Sequence, residues 1–442
     1  MLTSRLKEIV FGRPSTRRFV QWAREQAAFL DPEGAAAGDI EKLSFLDEAI
    51  QNKRVVFLGE SNHFIHEKYG FRLLFLRYLF SRGWQWVGEE MGWSDGARVD
   101  RYLADGLEDH LDRVAIYGFR GARRTDRDDR PTGILRDSYE NYPKAAFRAE
   151  QVGFARALRA LSEGRPAGAD RLRFFGFDVD ILPGGGYEDV EELLEPVRGD
   201  PAVEELRARL SRASGETLEQ EVERLTRAAG FAEAQRRRLE AVLGPERLRR
   251  LVQDLGCLRD SFDWMRLAHP AQDFDALNVA MAAREGVMHR TLLHVLSGLG
   301  PKDRVVLMSH SLHLTRDSRR IQGFLQGAMP GGKRLPPVGD FVHRLLPGEV
   351  FSVWMLYDRG RDAQPYRWLS QELTSVPGSL NAALAEVGQA FVLATGSPDP
   401  RAGLLRRPMK MVHTSNAVCL AAVAEQTDAL YFVREVSPLR TY

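Results

Sequence analysis

The sequence has few cysteines and almost no net charge, and both facts exclude broad classes of protein. Cys257 and Cys419 are the only cysteines among the 442 residues, and they lie far apart. They cannot form the framework of a disulfide-rich fold or a cysteine-based zinc site. Lys and Arg total 62 and Asp and Glu total 61. The overall charge therefore favours neither nucleic acid nor an anionic membrane as a partner.

The sequence also has no long hydrophobic run. No segment approaches the ~20 apolar residues that cross a bilayer. Residues 1–31 alternate charged and apolar side chains, without the apolar core of a signal peptide. A content of 44% hydrophobic and 28% charged residues is typical of globular domains. We therefore expect a globular cytoplasmic protein that has neither nucleic acid nor a membrane as a partner.

Alternating strands and helices account for the patterns that are present. Residues 54–59 predict a buried strand, residues 64–82 repeat apolar side chains at helical spacing, and residues 84–90 predict a second strand. Such a βαβ unit implies a parallel sheet with right-handed crossovers. Further strands are predicted at 171–177, 303–308, 349–357, 390–394 and 429–433. Other helices are predicted at 17–30, 40–52, 145–162, 275–299 and 315–327, with one more capped by Ser379.

We interpret the chain as one α/β domain, residues 1–442, with a central mainly parallel sheet flanked by helices. A deep cleft is expected at the carboxyl ends of the strands. The helical pattern from about 187 to 265 indicates an inserted helical arm. Residues 106–143 are rich in Arg, Asp and Gly and form either a lid or a solvated surface loop. A Gly- and Pro-rich turn is predicted at 330–339.

Ionisable side chains follow four of the predicted strands. They are Glu60, His63, His66 and Glu67 after the first strand, Glu90 after the second, Asp178 and Asp180 after the third, and His310 and His313 after the fourth. Because parallel strands end at one edge of a sheet, we expect these groups to lie in one site. Charged groups in one cleft are costly to desolvate, which favours a functional explanation.

Two chemistries fit this set of residues. In the first, a histidine takes a proton from water, a carboxylate fixes the tautomer of that histidine, and the hydroxide attacks an ester. This route needs no nucleophilic serine, and the sequence has no Gly-x-Ser-x-Gly elbow. In the second, the pairs His63 with His66 and His310 with His313 bind a divalent metal that activates the water.

Several short motifs also follow one another in a particular order. They are Gly59-Glu60-x-x-His63-x-x-x-Glu67 followed by Arg72, Gly83-Trp84 to Glu90, Ala97 to Tyr102, Phe174 to Asp178, Arg284-Glu285-x-x-Met288, His310-Ser-Leu-His313, Gly378-Ser-Leu and Ala429-Leu-Tyr-Phe. In this order the sequence resembles the erythromycin esterase family. The resemblance implies hydrolysis of a carboxylic ester, such as a macrolactone in a bulky natural product.

The resemblance also implies a role for each matching residue. His63 is then the general base, and Glu60 and Glu90 orient it and the water. The substrate-binding residues are then Arg72, His66, Glu67, Phe64, Asp178, His310 and His313. We expect a small-molecule substrate, no cofactor and no metal.

Three residues depart from the family pattern, and two other functions stay open. Asn62, Phe64 and Ser311 stand where the family usually has Thr, Gly and Asn. The bulk of Phe64 beside the base predicts a substrate other than a fourteen-membered macrolide. One alternative function is a non-hydrolytic step with the same base, namely elimination, cyclisation or acyl transfer in a biosynthetic pathway. The other is a haem-binding or ligand-binding protein on the same scaffold.

Overall fold

A computed structural model describes the chain over nine stretches. They are residues 4–31, 39–114, 131–165, 170–181, 184–211, 215–323, 336–365, 370–413 and 417–441. Residues 115–130 of the excursion predicted at 106–143 lie outside these stretches. So do residues 330–335 of the turn predicted at 330–339. Within the described stretches, none of the helices has the length and apolarity needed to span a membrane.

Strands and helices alternate along most of the described chain. The strands are β1 (Ala28–Phe29), β2 (Val55–Glu60), β3 (Trp86–Gly92), β4 (Arg173–Asp178), β5 (Val305–His310), β6 (Gln322–Gly323), β7 (Val350–Arg361), β8 (Glu372–Thr374), β9 (Ala390–Ala394), β10 (Met409–His413), β11 (Ala417–Ala421) and β12 (Ala429–Val436). The α-helices are α1 (Ser4–Gln26), α2 (Asp47–Ile50), α3 (Glu67–Phe80), α4 (Trp93–Asp105), α5 (Asp109–Asp112), α6 (Arg136–Asn141), α7 (Lys144–Glu163), α8 (Gly184–Leu194), α9 (Pro201–Leu210), α10 (Leu218–Ala234), α11 (Arg236–Leu243), α12 (Pro245–Ala268), α13 (Phe274–Gly298), α14 (Val338–Leu345), α15 (Leu380–Ala385) and α16 (Val423–Gln426).

The chain divides into two compact units. Unit 1 comprises residues 1–87, 141–172 and 302–442, and unit 2 comprises residues 88–140 and 173–301. The helices α8 to α12 of unit 2 cover the region in which the sequence predicts a helical arm. The expectation of a single domain over the whole chain stays a prediction.

A mainly parallel sheet forms the centre of unit 1. Its strands follow the order β1-β9-β12-β7-β2-β5. The four strands β12, β7, β2 and β5 are parallel to one another. Strand β9 pairs antiparallel with β1 and β12, and β8 pairs antiparallel with β7. The prediction of a mainly parallel central sheet flanked by helices is confirmed. Strands β6, β10 and β11 form a second, antiparallel sheet.

Strand β2 is completely buried because it lies between two parallel neighbours. Val55 faces Val305 of β5 on one side and Val350 of β7 on the other. The unbroken apolar run of β2 is typical of a strand that is covered on both faces. At its end, Gly59 leaves room for the neighbouring chain, since a Cβ there would lie 3.0 Å from Ser311 Cα and 3.0 Å from Trp354 Cδ1. The polar residues after Gly59 therefore emerge from a rigid support.

Unit 2 has a helical core that is rich in leucine. Helices α8 to α13 contribute buried side chains such as Leu206, Leu225, Leu251 and Leu258 to one cluster. Helix α4 packs closely on β4. The contact requires a glycine at position 96, because a Cβ there would overlap the backbone nitrogen of Gly176. These contacts support the carboxyl end of β4, which carries Asp178.

One helix prediction is wrong and another extends too far, both where long-range strand pairing prevails. The helix predicted at 315–327 is wrong over its described part, where the chain forms a short 3-10 helix, Ser318–Arg320, followed by β6. The Gln426 side chain accepts from the amide of Asp317 and donates to its carbonyl oxygen. The helix predicted at 17–30 ends instead at Gln26, because β1 pairs with β9.

Candidate active site

Glu60 and Arg72 form a buried ion pair at the end of β2. The Glu60 side chain is 0% exposed, and Arg72, from helix α3, is 2% exposed. The Nη2 atom of Arg72 donates to Glu60 Oε1 at 2.8 Å. A buried carboxylate without a cation would be costly, so this guanidinium is needed for Glu60 to be charged.

The charges around Glu60 keep it ionised. Burial raises the pKa of this carboxyl, but the positive charge of Arg72, the hydrogen bond from His63 and the charge of Lys68 outweigh burial and lower the pKa to about 2. Lys68 is itself buried, and its Nζ lies 4.8 Å from the ring centroid of Tyr69. Glu60 is therefore an acceptor only, throughout the neutral pH range.

His63 is paired with Glu60, three residues earlier in the chain. Its Nδ1 atom lies 3.1 Å from Glu60 Oε1. Because an ionised carboxylate can only accept, Nδ1 carries the hydrogen, and in the neutral ring Nε2 carries the lone pair. The His63 side chain is 34% exposed, in contrast to the completely buried Glu60. The pair thus presents a basic nitrogen on a partly accessible ring.

The loop between β2 and α3 is fixed by Asn62. The Asn62 Oδ1 atom accepts from the amide of Phe64 at 2.9 Å, which is the pattern of an Asx turn. The Asn62 Nδ2 atom donates to Asp362 Oδ2 at 2.7 Å, and the amide of Ala363 donates to the Phe64 carbonyl oxygen at 3.0 Å. These bonds hold the backbone on both sides of His63.

His310 lies beside His63 at the end of β5. The two ring centroids are 5.1 Å apart. The amide of Leu312 donates to His310 Nδ1 at 3.2 Å, so Nε2 carries the hydrogen and donates to the Ser61 carbonyl oxygen at 3.2 Å. These contacts select one neutral tautomer and connect the loop after β5 to the loop after β2. The amide of His313 donates to the His310 carbonyl oxygen at 2.9 Å, and the His313 carbonyl oxygen accepts from the amide of Gly339 at 2.7 Å. The predicted role of His310 and His313 in substrate binding stays a prediction.

His66 and Glu67 contact the segment that follows the last strand, β12. The amide of His66 donates to the Ser437 carbonyl oxygen at 2.9 Å, and His66 Nδ1 lies 2.6 Å from Glu150 Oε1. Glu67 accepts from the amide of Ser437 at 2.8 Å and from its hydroxyl at 2.7 Å. Glu150 also accepts from the amide of Arg440 at 3.0 Å. These bonds connect the start of helix α3 to the segment after β12. The predicted role of His66 and Glu67 in substrate binding stays a prediction.

In unit 2, Glu90 and Asp178 share one arginine. Arg284 Nη2 donates to Glu90 Oε1 at 2.6 Å, and Arg284 Nε donates to Asp178 Oδ1 at 2.9 Å. Burial lowers the pKa of Arg284, but the two carboxylates outweigh burial and raise it above its usual value. The arrangement joins the ends of β3 and β4 to helix α13. The prediction that Glu90 orients a catalytic water stays a prediction.

Asp180 belongs to a buried acidic cluster of unit 2. Its Oδ1 atom accepts from the amide of Ser94 at 3.1 Å. Burial, together with the charge of Asp95, raises the pKa of Asp180 well above its usual range. In the same cluster, burial raises the pKa of Asp254 to about 7 despite the charge of Arg250. Within the residues described, no group of three or more His, Cys, Asp and Glu side chains is arranged to hold a metal ion.

Comparison with known proteins assigns the family. Residues 81–436 match the erythromycin esterase family. The chain belongs to this family. Glu60, His63 and Arg72 precede the matched segment, whereas Glu90, Asp178, His310 and His313 lie within it. Membership of the erythromycin esterase family indicates an esterase-type hydrolase with a small-molecule substrate.

Solved structures share the fold at low sequence identity. A protein from Bacillus cereus is 16% identical with a TM-score of 0.69, and the match covers 97% of this chain and 99% of that chain. A succinoglycan biosynthesis protein is 15% identical with a TM-score of 0.69, over 97% and 99% of the two chains. A mutant of the erythromycin esterase EreC in its open conformation is 14% identical with a TM-score of 0.61, over 90% and 94%. These similarities establish an erythromycin-esterase-like α/β fold.

Three residues of this family member were not selected as site residues from the sequence. Lys68 and Glu150 lie on helices α3 and α7, where a charged residue at helical spacing usually indicates a solvent-exposed face. Both are buried, beside Glu60 and His66 respectively. Arg284 lies 106 residues after Asp178 in the chain. Only its occurrence in the family-like Arg284-Glu285-x-x-Met288 motif could have indicated it.

Proposed function

We propose that the chain hydrolyses a carboxylic ester with a water molecule that His63 activates. The observation that supports this most strongly is the contact of 3.1 Å between His63 Nδ1 and the buried carboxylate of Glu60. A carboxylate in this position fixes the ring tautomer and stabilises the imidazolium that forms during catalysis. The half-buried ring supplies the proton acceptor, and no nucleophilic side chain is required.

The reaction needs two proton transfers. In the first, water loses a proton to His63 Nε2 as its oxygen bonds to the carbonyl carbon, which forms a tetrahedral oxyanion. In the second, the imidazolium returns that proton to the leaving alkoxide as the carbon–oxygen ester bond breaks. The products are a carboxylic acid and an alcohol, or one hydroxy acid when the substrate is a lactone. His63 is neutral again at the end, so it acts first as a base and then as an acid.

Arg72 and Lys68 maintain the charge that this cycle requires. Together they hold Glu60 ionised, so the imidazolium of His63 faces a negative charge rather than a neutral acid. Arg72 and His63 both contact Oε1 of Glu60. Arg72 therefore acts on His63 through Glu60 and is a positioning residue in this mechanism. A preorganised charge of this type acts without reorganisation during the reaction.

A lactone in a bulky natural product is the substrate that family membership supports, and EreC is named as an erythromycin esterase. The test uses a panel of macrolides, smaller lactones and simple alkyl and aryl esters in 18O-labelled water. Mass spectrometry of the products should show one 18O atom in the new carboxyl group. Elimination or cyclisation of the same compounds would give products without the label, and either result would contradict hydrolysis.

A further inference from the structure

A row of aromatic rings extends from His63 in unit 1. The ring centroids of His63 and Phe64 are 6.1 Å apart, those of Phe64 and Tyr142 are 5.9 Å apart, and those of Tyr142 and Phe147 are 5.3 Å apart. Phe147 is buried, whereas Phe64 and Tyr142 are half-buried. The row therefore presents two partly accessible rings next to His63.

Neighbouring rings at the accessible end are nearly perpendicular. The planes of His63 and Phe64 meet at 87°, and those of Phe64 and Tyr142 meet at 78°. Such contacts are favourable because the positive edge of one ring meets the negative face of the next. A further aromatic ring can extend this pattern, whereas a saturated ring gains only from the apolar area that it buries.

The backbone of Phe64 is fixed before any ligand binds. Its amide donates to Asn62 and its carbonyl oxygen accepts from Ala363. Asn62 is in turn bonded to Asp362, at the end of β7. A ring on such a support loses little conformational freedom when a ligand contacts it, so more of the contact energy contributes to binding.

The buried end of the row already has a cation of the protein. Lys68 Nζ lies 5.0 Å from the ring centroid of Phe147. This ammonium group occupies the cation–π position on Phe147, so that position is not available to a cation of the ligand. The ligand that suits the row is therefore a neutral aromatic group.

We propose that Phe64 and Tyr142 form a subsite for a neutral aromatic ring of the substrate, close to its ester bond. This proposal rests on the ester hydrolysis proposed above, in which His63 is the base. An aromatic pair is worth about 2- to 12-fold in affinity beyond the area that it buries. The enzyme should therefore prefer aryl-bearing esters to their saturated counterparts by about that factor.

Matched substrates test the preference. Methyl phenylacetate is compared with methyl cyclohexylacetate, and benzyl acetate with cyclohexylmethyl acetate, so that the ring lies on either side of the ester. The saturated ring is the more hydrophobic of each pair, and buried area alone would favour it. Each kcat/KM is divided by the rate constant for alkaline hydrolysis of the same ester, because the phenyl group also makes an ester intrinsically more reactive. We expect this corrected kcat/KM to be about 2- to 12-fold higher for the aryl ester in at least one pair. Equal values, or a preference for both cyclohexyl esters, would overturn the proposal.

Three variants locate the preference. In Phe64→Leu and Tyr142→Leu the aryl-to-cyclohexyl ratio should fall toward one, whereas Tyr142→Phe keeps a ring and should keep the ratio. Each ratio is measured within one preparation, so a change in the folded fraction cancels. If both leucine variants keep the wild-type ratio, these residues do not form the subsite.

A binding measurement separates this proposal from the proposed function. Phenylacetamide and cyclohexylacetamide resist hydrolysis, and their affinities for the wild-type chain and for Phe64→Leu can be compared by calorimetry. Tighter binding of phenylacetamide to the wild type, lost in Phe64→Leu, would support the aromatic subsite even if no ester were hydrolysed. Equal affinities of the two amides for the wild type would overturn the subsite and leave ester hydrolysis to be judged on the ester panel.

Discussion

The Oε1 atom of Glu60 and the Nδ1 atom of His63 lie 3.1 Å apart, with the carboxylate completely buried and the imidazole 34% exposed. The backbone of β2 supports Glu60, and the Asn62 turn fixes the chain next to His63. The contact therefore joins a rigid, charged interior to a basic group at the surface. The first prediction concerns this group.

His63→Asn should lower kcat for ester hydrolysis by about 10²- to 10⁴-fold, the usual contribution of a general base. The substitution retains a polar side chain at a partly exposed position, so thermal stability should change little. Initial rates and a thermal melt of the same preparation measure both effects. His110→Asn is a matched control, because His110 pairs with Asp105 at 2.9 Å in unit 2. Activity of His63→Asn within tenfold of wild type would contradict the general-base role.

Glu60 should make the free energy of unfolding depend on pH in the acidic range. The pKa of Glu60 is about 2, whereas the ordinary value is 4.5. Between these pH values the unfolded chain binds more protons than the folded chain. The stability that Glu60 contributes is therefore present above about pH 4.5 and is lost as the pH falls toward 2. A difference of this size corresponds to about 3 kcal/mol.

Glu60→Gln cannot ionise and should lack this part of the acid dependence. The variant also leaves Arg72 buried without a carboxylate, which should lower stability at neutral pH by about 3–5 kcal/mol. Unfolding midpoints measured from pH 2 to pH 7 should thus converge for the wild type and Glu60→Gln at the acidic end. Parallel curves over the whole range would show that Glu60 is not the group responsible.

The sequence predicted the centre of the fold because local patterns and burial agree there. Strand β9 has the bounds expected from its apolar run, 390–394. Helix α15 begins directly after Ser379, whose hydroxyl accepts from the amide of Ala382 at 3.2 Å. In both segments the pattern of neighbouring residues alone specifies the element, so no distant contact is needed to explain it.

The antiparallel sheet could not be predicted in this way. Strands β10 and β11 are five residues long, and their pairing places the side chains of Met411 and Cys419 in the core of unit 1. A run such as 417–421, Ala-Val-Cys-Leu-Ala, is equally compatible with a helix. Strand β6 depends on β11, which is about a hundred residues away in the chain. Long-range pairing decides these segments.

In the candidate site, too, only part of the arrangement could be predicted from the sequence. The rule that parallel strands end at one edge of a sheet correctly predicts that His63 and His310 lie side by side in unit 1. The partners of the other residues depend on side chains that are distant in the sequence, such as Glu150 for His66 and Arg284 for Glu90. Periodicity carries no information about such pairs.

Asp254 in unit 2 should give the stability of the folded chain the opposite pH dependence. Burial raises the pKa of Asp254 from 3.8 to about 7, so between these values the folded chain binds more protons than the unfolded chain. The stability linked to this proton is present below about pH 3.8 and is lost as the pH rises through 7. Three pKa units correspond to at most about 4 kcal/mol.

Asp254→Asn is neutral at every pH and should flatten this dependence. Its side-chain oxygen can still accept from Trp93 Nε1, which bonds Asp254 Oδ1 at 2.6 Å. Thermal midpoints of the chain, followed by circular dichroism between pH 4 and pH 8, should decline less with rising pH in the variant than in the wild type. Asp263→Asn, an exposed partner of Arg266 on the same helix, should keep the wild-type slope. A wild-type slope in Asp254→Asn would contradict the assignment.

The fourth prediction distinguishes support from substrate binding at Glu67. Both oxygens of this carboxylate accept hydrogen bonds from Ser437, one from the hydroxyl and one from the amide. If Glu67 supports the loop that carries His63, Ser437→Ala should have part of the effect of Glu67→Ala, because it removes one of the same bonds. A hydrogen bond to a charged group contributes about 1.5–3 kcal/mol, so both variants should lower the thermal midpoint.

Kinetics complete the test of Glu67. A supporting role predicts that kcat falls in Glu67→Ala and Ser437→Ala while KM changes by less than about twofold, since the base is displaced but the substrate contacts remain. A binding role predicts a rise in KM in Glu67→Ala alone, because Ser437 would not contact the substrate. The double variant separates the two explanations further. If the residues act through their mutual bonds, the loss of stability in the double variant should be smaller than the sum of the single losses.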